Sequence, residues 1–262
     1  MSGCTSLARK MVLPGSFLKE PDNVVKASED YELISLTTKG RTKIVAQFGK
    51  ALDRNGRTLP TEQKPPTVIF FYGNRMSIAQ SQDIFRDLRR MGVNVLIPDY
   101  PGYGMSGGRA SEEGCYAAAD AAYAYLLQRA DVDRRRLVIA GMSVGCGVAV
   151  DLACREEATA LLLVVPFPNI RSVGKDNLPW YLRWGVPVIA RRAAFDSRAK
   201  VARVYCPIFL VQAKNDHVTS AKRTDELIAA MVSKMDRVIV DADHDGSWAK
   251  GRAEIETWLK QW

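Results

Sequence analysis

Ser143 stands in the pentapeptide Gly141-Met142-Ser143-Val144-Gly145, and His217 and His244 are the only two imidazoles in the 262-residue chain. A serine hydroxyl becomes a useful nucleophile when a base takes its proton. That base is most often a histidine held by a carboxylate. The β-branched run 136–140 before the pentapeptide reads as a strand, and residues 144–155 read as a helix. Ser143 therefore falls at a sharp strand-to-helix turn, where glycines on both sides remove side chains that would collide. The helix N-terminus behind it favours developing negative charge.

In a parallel sheet the reacting groups gather at the carboxyl ends of strands. Asp216 follows a strand at 207–213 by three residues, and His244 follows a strand at 237–240 by four. Ser143, Asp216 and His244 are thus the expected nucleophile, orienting acid and base. His217 adjoins Asp216 in sequence and reads as a solvated loop residue. Three aspartates flank His244, at 241, 243 and 245. They are expected to form a polar loop. Acyl transfer also needs donors for the oxygen that becomes charged. The backbone N–H groups of Val144 and of Asn74, in Tyr72-Gly73-Asn74-Arg75, are the candidates.

The Pro- and Gly-rich loop Pro98–Gly108, with Tyr100, is expected to shape the pocket wall without supplying a reacting group. It carries neither a Walker lysine pattern nor G-x-G-x-x-G, so it does not read as a phosphate cradle.

These groups sit in a chain that alternates strand and helix. Residues 31–38 and 42–50 read as an antiparallel hairpin about Lys39-Gly40. Runs at 67–72 and 93–97 read as buried strands, and those at 136–140, 158–165, 207–213 and 237–240 read as further strands. Helices are expected at 78–91, from Ser111 as N-cap to about 130, at 144–155, 221–234 and 247–262. Such alternation predicts an α/β fold, a mostly parallel sheet with helices on both faces. Residues 1–30 form an N-terminal segment, and 31–262 form one domain with an insertion at about 167–205.

Five irregularly spaced cysteines argue against a disulfide framework, and no spacing suits a metal, so no cofactor is expected. The net charge is +8, which raises nucleic acid as a partner. Eight Lys/Arg against two Asp lie between Arg171 and Val204, however, so the excess is local. No nucleic-acid motif accompanies it. No apolar run reaches the eighteen residues that suggest a membrane span.

FFYGN (70–74), PDYPGYGMSGG (98–108), GMSVG (141–145), AKND (213–216) and ADHDGSW (242–248), in this order, resemble the α/β-hydrolase superfamily from about residue 30 to the end. The set looks like the compact branch of serine aminopeptidase-like, lysophospholipase-like and depalmitoylase-like enzymes. The resemblance implies the same triad, Ser143, Asp216 and His244, with Asn74 and Val144 as oxyanion donors. One departure is visible: members commonly carry His-Gly where this chain has Tyr72-Gly73.

The insertion corresponds to a short lid in such folds. Trp180, Tyr181 and Trp184 beside arginines read either as an acyl-binding wall or membrane contact, or as aromatics closing the core. Met1–Ser6 resembles the end of a bacterial lipoprotein signal at Cys4, without its apolar stretch. The expectation is accordingly a cytoplasmic enzyme or, if Cys4 is lipidated, a membrane-anchored one. The leading function is hydrolysis of carboxylic esters or thioesters. The alternatives are an aminopeptidase-like enzyme, which calls for acidic groups near the lid, and a non-catalytic binding protein on the same fold.

Overall fold

The computed structural model describes Leu13 and residues 24–177 and 193–262. Eight strands form one sheet: β1 (Glu32–Thr37), β2 (Lys43–Gly49), β3 (Thr67–Phe71), β4 (Asn94–Pro98), β5 (Leu137–Met142), β6 (Ala160–Val164), β7 (Ile208–Ala213) and β8 (Met235–Val240). Their spatial order is β1-β2-β4-β3-β5-β6-β7-β8. β2 runs antiparallel to both neighbours, and every later pairing is parallel. This is the expected α/β architecture with its leading hairpin. Strands β3 to β7 are buried along their length, as continuous Val, Ile, Leu and Phe runs require, while β1 and β8 are partly exposed at the edges.

The described helices are α1 (Gln82–Arg90), α2 (Glu112–Gln128), α3 (Val144–Ala153), α4 (Ile170–Asn177), α5 (Ser197–Val201), α6 (Ala221–Ile228) and α7 (Ser247–Leu259). Parallel crossovers are right-handed. The step β3–α1–β4 moves one way along the sheet, whereas β4–α2–β5 and the later steps move the other way. α1 therefore covers one face and α2, α3, α5 and α6 the other, with α7 returning to pack on α1. The reversal opens a crevice beyond the carboxyl ends of β3 and β5, where an open sheet binds its ligands. Phe71 pairs with Gly141 there, so the ends of the two strands lie side by side.

Two helices are shorter by more than a turn than their apolar spacing predicts. α1 begins at Gln82, not Ile78, because the Ile78 N–H donates to the Asp99 carboxylate at 2.8 Å and residues 77–81 close as turns. α6 stops at Ile228 rather than 234, because the following turns carry the chain to Ser233, whose hydroxyl donates to the Val204 carbonyl at 2.5 Å. Ser111 caps α2 as expected, accepting the Gly114 N–H at 3.0 Å. In the hairpin, the left-handed residue is Arg41 (φ 61°) rather than Gly40.

Candidate active site

β5 leads into α3 at Ser143, whose φ of 52° and ψ of −118° are strained for a residue with a side chain. The flanking glycines permit the turn. A Cβ on Gly145 would sit 1.9 Å from the Phe71 carbonyl oxygen, and one on Gly141 would sit 2.3 Å from that of Gly145. The turn is fixed by the Ser143 N–H donating to the Val164 carbonyl at 2.9 Å.

The loops after β7 and β8 run side by side. Asn215 donates its N–H to the Ala242 carbonyl at 2.9 Å and its side-chain amide to Asp241 Oδ1 at 3.1 Å. Asp243 Oδ1 accepts the Gly246 N–H at 2.8 Å, and Ser247 Oγ donates to the His244 carbonyl at 2.8 Å. Asp241 and Asp243 therefore serve loop geometry. The remaining side chains converge: His244 Nδ1 lies 2.8 Å from Asp216 Oδ2, and His244 Nε2 lies 3.0 Å from Ser143 Oγ.

Asp216 is 8% exposed and fully engaged. Its Oδ1 accepts the N–H groups of Val218 (2.8 Å) and Thr219 (2.7 Å), and its Oδ2 accepts the Thr219 hydroxyl at 2.7 Å as well as His244. Burial alone would raise its pKa, but these donors outweigh it and hold the carboxyl below the usual range. An ionised carboxylate only accepts, so Nδ1 of His244 carries a proton and Nε2 of the neutral ring is left to accept from the serine hydroxyl. Thr219 is a residue that sequence reasoning missed. Its signal was present, since a hydroxyl three residues after an aspartate is an ordinary local turn pattern.

Ser143 and His244 border a cavity of about 670 Å³. Met76, Met142, Phe167, Ile170, Val173 and Val218 make its wall largely apolar, and Arg75 and Asp245 also border it. Gly73, Asn74 and Val144 line the same cavity. Gly73 passes so near Ser143 that a Cβ there would be 3.4 Å from that of Ser143. The Asn74 side chain turns back on its own loop, its Oδ1 accepting the Arg75 N–H at 3.1 Å. α4 forms the far wall and is fastened to the Asp216 loop. Asn177 donates to the Val218 carbonyl at 2.9 Å, and Arg223 pairs with Asp176 at 2.7 Å.

Tyr100 is not on this wall. It is buried behind the Tyr72–Asn74 loop, with its hydroxyl donating to the Tyr72 carbonyl at 3.1 Å. None of the Pro98–Gly108 loop borders the cavity; it folds around its own buried Asp99 instead. His217 is exposed. Trp180, Tyr181 and Trp184 of the insertion, and Cys4, lie outside the described residues.

The insertion returns to the fold at Ala194 and Phe195. Their N–H groups donate to Glu112 Oε2 (2.5 Å) and Oε1 (3.0 Å) at the start of α2. No helix among the described residues is long and apolar enough to cross a membrane.

Residues 62–194 match the family model described as serine aminopeptidase, S33. An uncharacterized protein of Mycobacterium tuberculosis is 33% identical over 178 residues, 67% of this chain and 61% of that one. The human alpha/beta hydrolase domain-containing protein 17C is 31% identical over 154 residues, 58% of this chain and 44% of that protein. The match thus spans less than two thirds of the length of these relatives. Among solved structures, a Pyrococcus furiosus esterase superposes with a TM-score of 0.72 at 19% identity, covering 91% of this chain and 95% of its own. An acetyl xylan esterase from Paenibacillus gives 0.72 at 14% identity, with 91% and 87% covered.

Proposed function

The chain belongs to the S33 serine aminopeptidase family of α/β-hydrolases, and from that membership we propose that it is a serine hydrolase of carboxylic esters or thioesters. The observation that carries this reading is the hydrogen-bonded line from Ser143 Oγ through His244 to Asp216, at 3.0 and 2.8 Å, beside an apolar cavity.

Ser143 Oγ attacks the acyl carbon as its proton passes to His244 Nε2. The carbonyl oxygen takes up the negative charge and is met by the N–H groups of Asn74 and Val144. Asp216, ionised throughout, steadies the imidazolium. The tetrahedral intermediate collapses, the bond from carbon to the leaving oxygen or sulfur breaks, and the leaving group takes the proton from Nε2. Water then repeats the sequence on the acyl-enzyme, releasing the carboxylic acid and restoring Ser143. Turnover of 4-nitrophenyl butyrate and covalent labelling by a fluorophosphonate should both vanish in Ser143→Ala. Normal turnover in that variant would overturn the reading.

Asp245 favours a second reading, since a carboxylate beside the cavity suits a free amino group of a peptide substrate. An aminopeptidase would cleave aminoacyl 4-nitroanilides faster than their N-acetylated forms, and an esterase would not.

A further inference from the structure

Asp99 is completely buried, and the reaction above does not use it. Its Oδ1 accepts two hydrogen bonds, from the Tyr72 hydroxyl at 3.0 Å and from the Ile78 N–H at 2.8 Å. One carboxylate oxygen therefore gathers both ends of the loop 72–78, which carries Gly73 and Asn74 to the nucleophile. Bonds inside that loop are longer: Arg75 N–H to Asn74 Oδ1 at 3.1 Å and Met76 N–H to the Gly73 carbonyl at 3.4 Å. The loop's position is thus set from outside itself.

The anchor is itself fixed. Asp99 Oδ2 accepts the Met105 N–H at 2.9 Å, and its carbonyl accepts the Ser106 hydroxyl at 2.9 Å. That hydroxyl in turn accepts the Val45 N–H of β2 at 2.9 Å. Gly104 closes the knot with φ 44°, where a Cβ would sit 2.1 Å from Oδ2. Tyr72 is held twice more by Tyr100, whose N–H donates to the Tyr72 hydroxyl at 3.0 Å and whose hydroxyl donates to the Tyr72 carbonyl.

We propose that Tyr72 and Asp99 are positioning residues: through their buried hydrogen bond the Pro98–Gly108 loop sets where the Asn74 N–H meets the developing oxyanion. The inference rests on the hydrolase reading above. It assigns that loop a part in the chemistry without any contact to substrate.

Tyr72→Phe keeps the ring and leaves Asp99 Oδ1 with the Ile78 N–H, so no carboxylate oxygen is orphaned, although the buried Tyr100 N–H loses its acceptor. With 4-nitrophenyl butyrate, kcat should fall roughly 10- to 100-fold while KM stays within about twofold, as for a weakened oxyanion donor. The inhibition constant of butylboronic acid, which mimics the tetrahedral state, should rise by the same factor. Tyr100→Phe, which removes only the bond to the Tyr72 carbonyl, should move both quantities in the same direction, and it decides the matter alone if Tyr72→Phe does not fold. A kcat within about twofold of the parent, or a lowered kcat with unchanged boronate affinity, overturns the inference. Turnover persisting in Ser143→Ala would instead indict the hydrolase reading, so the two failures are separable.

Discussion

Asp216 turns its carboxylate to His244, 28 residues further along the chain, while the imidazole next to it in sequence, His217, faces solvent. The two histidines therefore give opposite predictions. His244→Ala should lower kcat by about 10⁴-fold or more, since a triad acts as a unit. His217→Ala should leave kcat/KM within about twofold. Steady-state rates with 4-nitrophenyl butyrate check both, and equal losses would remove His244 from its proposed role.

The depressed pKa of Asp216 has a consequence for stability. Its folded value lies below its unfolded one, so its contribution is complete above the ordinary carboxylate range, about pH 4. That contribution is lost as pH falls through the folded value. Asp216→Asn should therefore unfold at a lower temperature than the parent at pH 7, with the gap narrowing below about pH 4. Thermal unfolding across pH 3 to 7 measures this. A gap that stays constant with pH would contradict the assignment of the shift to Asp216.

Two glycines near Ser143 should respond differently to alanine. Gly145→Ala forces a methyl into the Phe71 backbone, and backbone cannot yield as a side chain does. A loss of more than about 3 kcal/mol, or no folded protein, is expected. Gly73→Ala meets only ordinary contact distances, of 3.4 Å and beyond. It should fold with nearly the parent melting temperature yet turn over more slowly, because the methyl faces Ser143, the proposed nucleophile. Comparable melting temperatures for the two variants would be the contrary result.

The cavity wall of Met76, Met142, Phe167, Ile170, Val173 and Val218 predicts that longer acyl chains react faster. Each added methylene that enters it is worth about 0.8 kcal/mol, or roughly fourfold in kcat/KM. A series of 4-nitrophenyl esters from acetate upward should show that rise, and Val173→Asp should flatten it. A series that falls from acetate onward would show that the acyl group lies elsewhere.

Much of the scaffold was legible because a strand buried on both faces leaves a continuous apolar run. The runs at β3, β5 and β7 located the loops that carry Asn74, Ser143 and Asp216, and chain order pointed to His244. Helix ends were less legible: the spacing of Ile78, Ile84 and Phe85 cannot register that the Ile78 N–H is drawn to Asp99. Tyr100 was misplaced for a related reason. Its partner Tyr72 is 28 residues away, and such a bond leaves no periodic trace in the sequence. The Glu112 carboxylate capturing Ala194 and Phe195, more than eighty residues on, was likewise invisible in the sequence.

Ser143 leaves a strand at the middle of the sheet, and His244 lies 101 residues later, beyond the last strand at its far edge. Bringing them to 3.0 Å requires β6, β7 and β8 to be laid down in register between them. The proposed chemistry consequently has no partial form: a chain halted before β8 has Ser143 without His244. During refolding, catalytic power should return only with the final, slowest ordering of the sheet, well after helical structure has recovered. On the proposed mechanism, returning turnover marks the completion of folding.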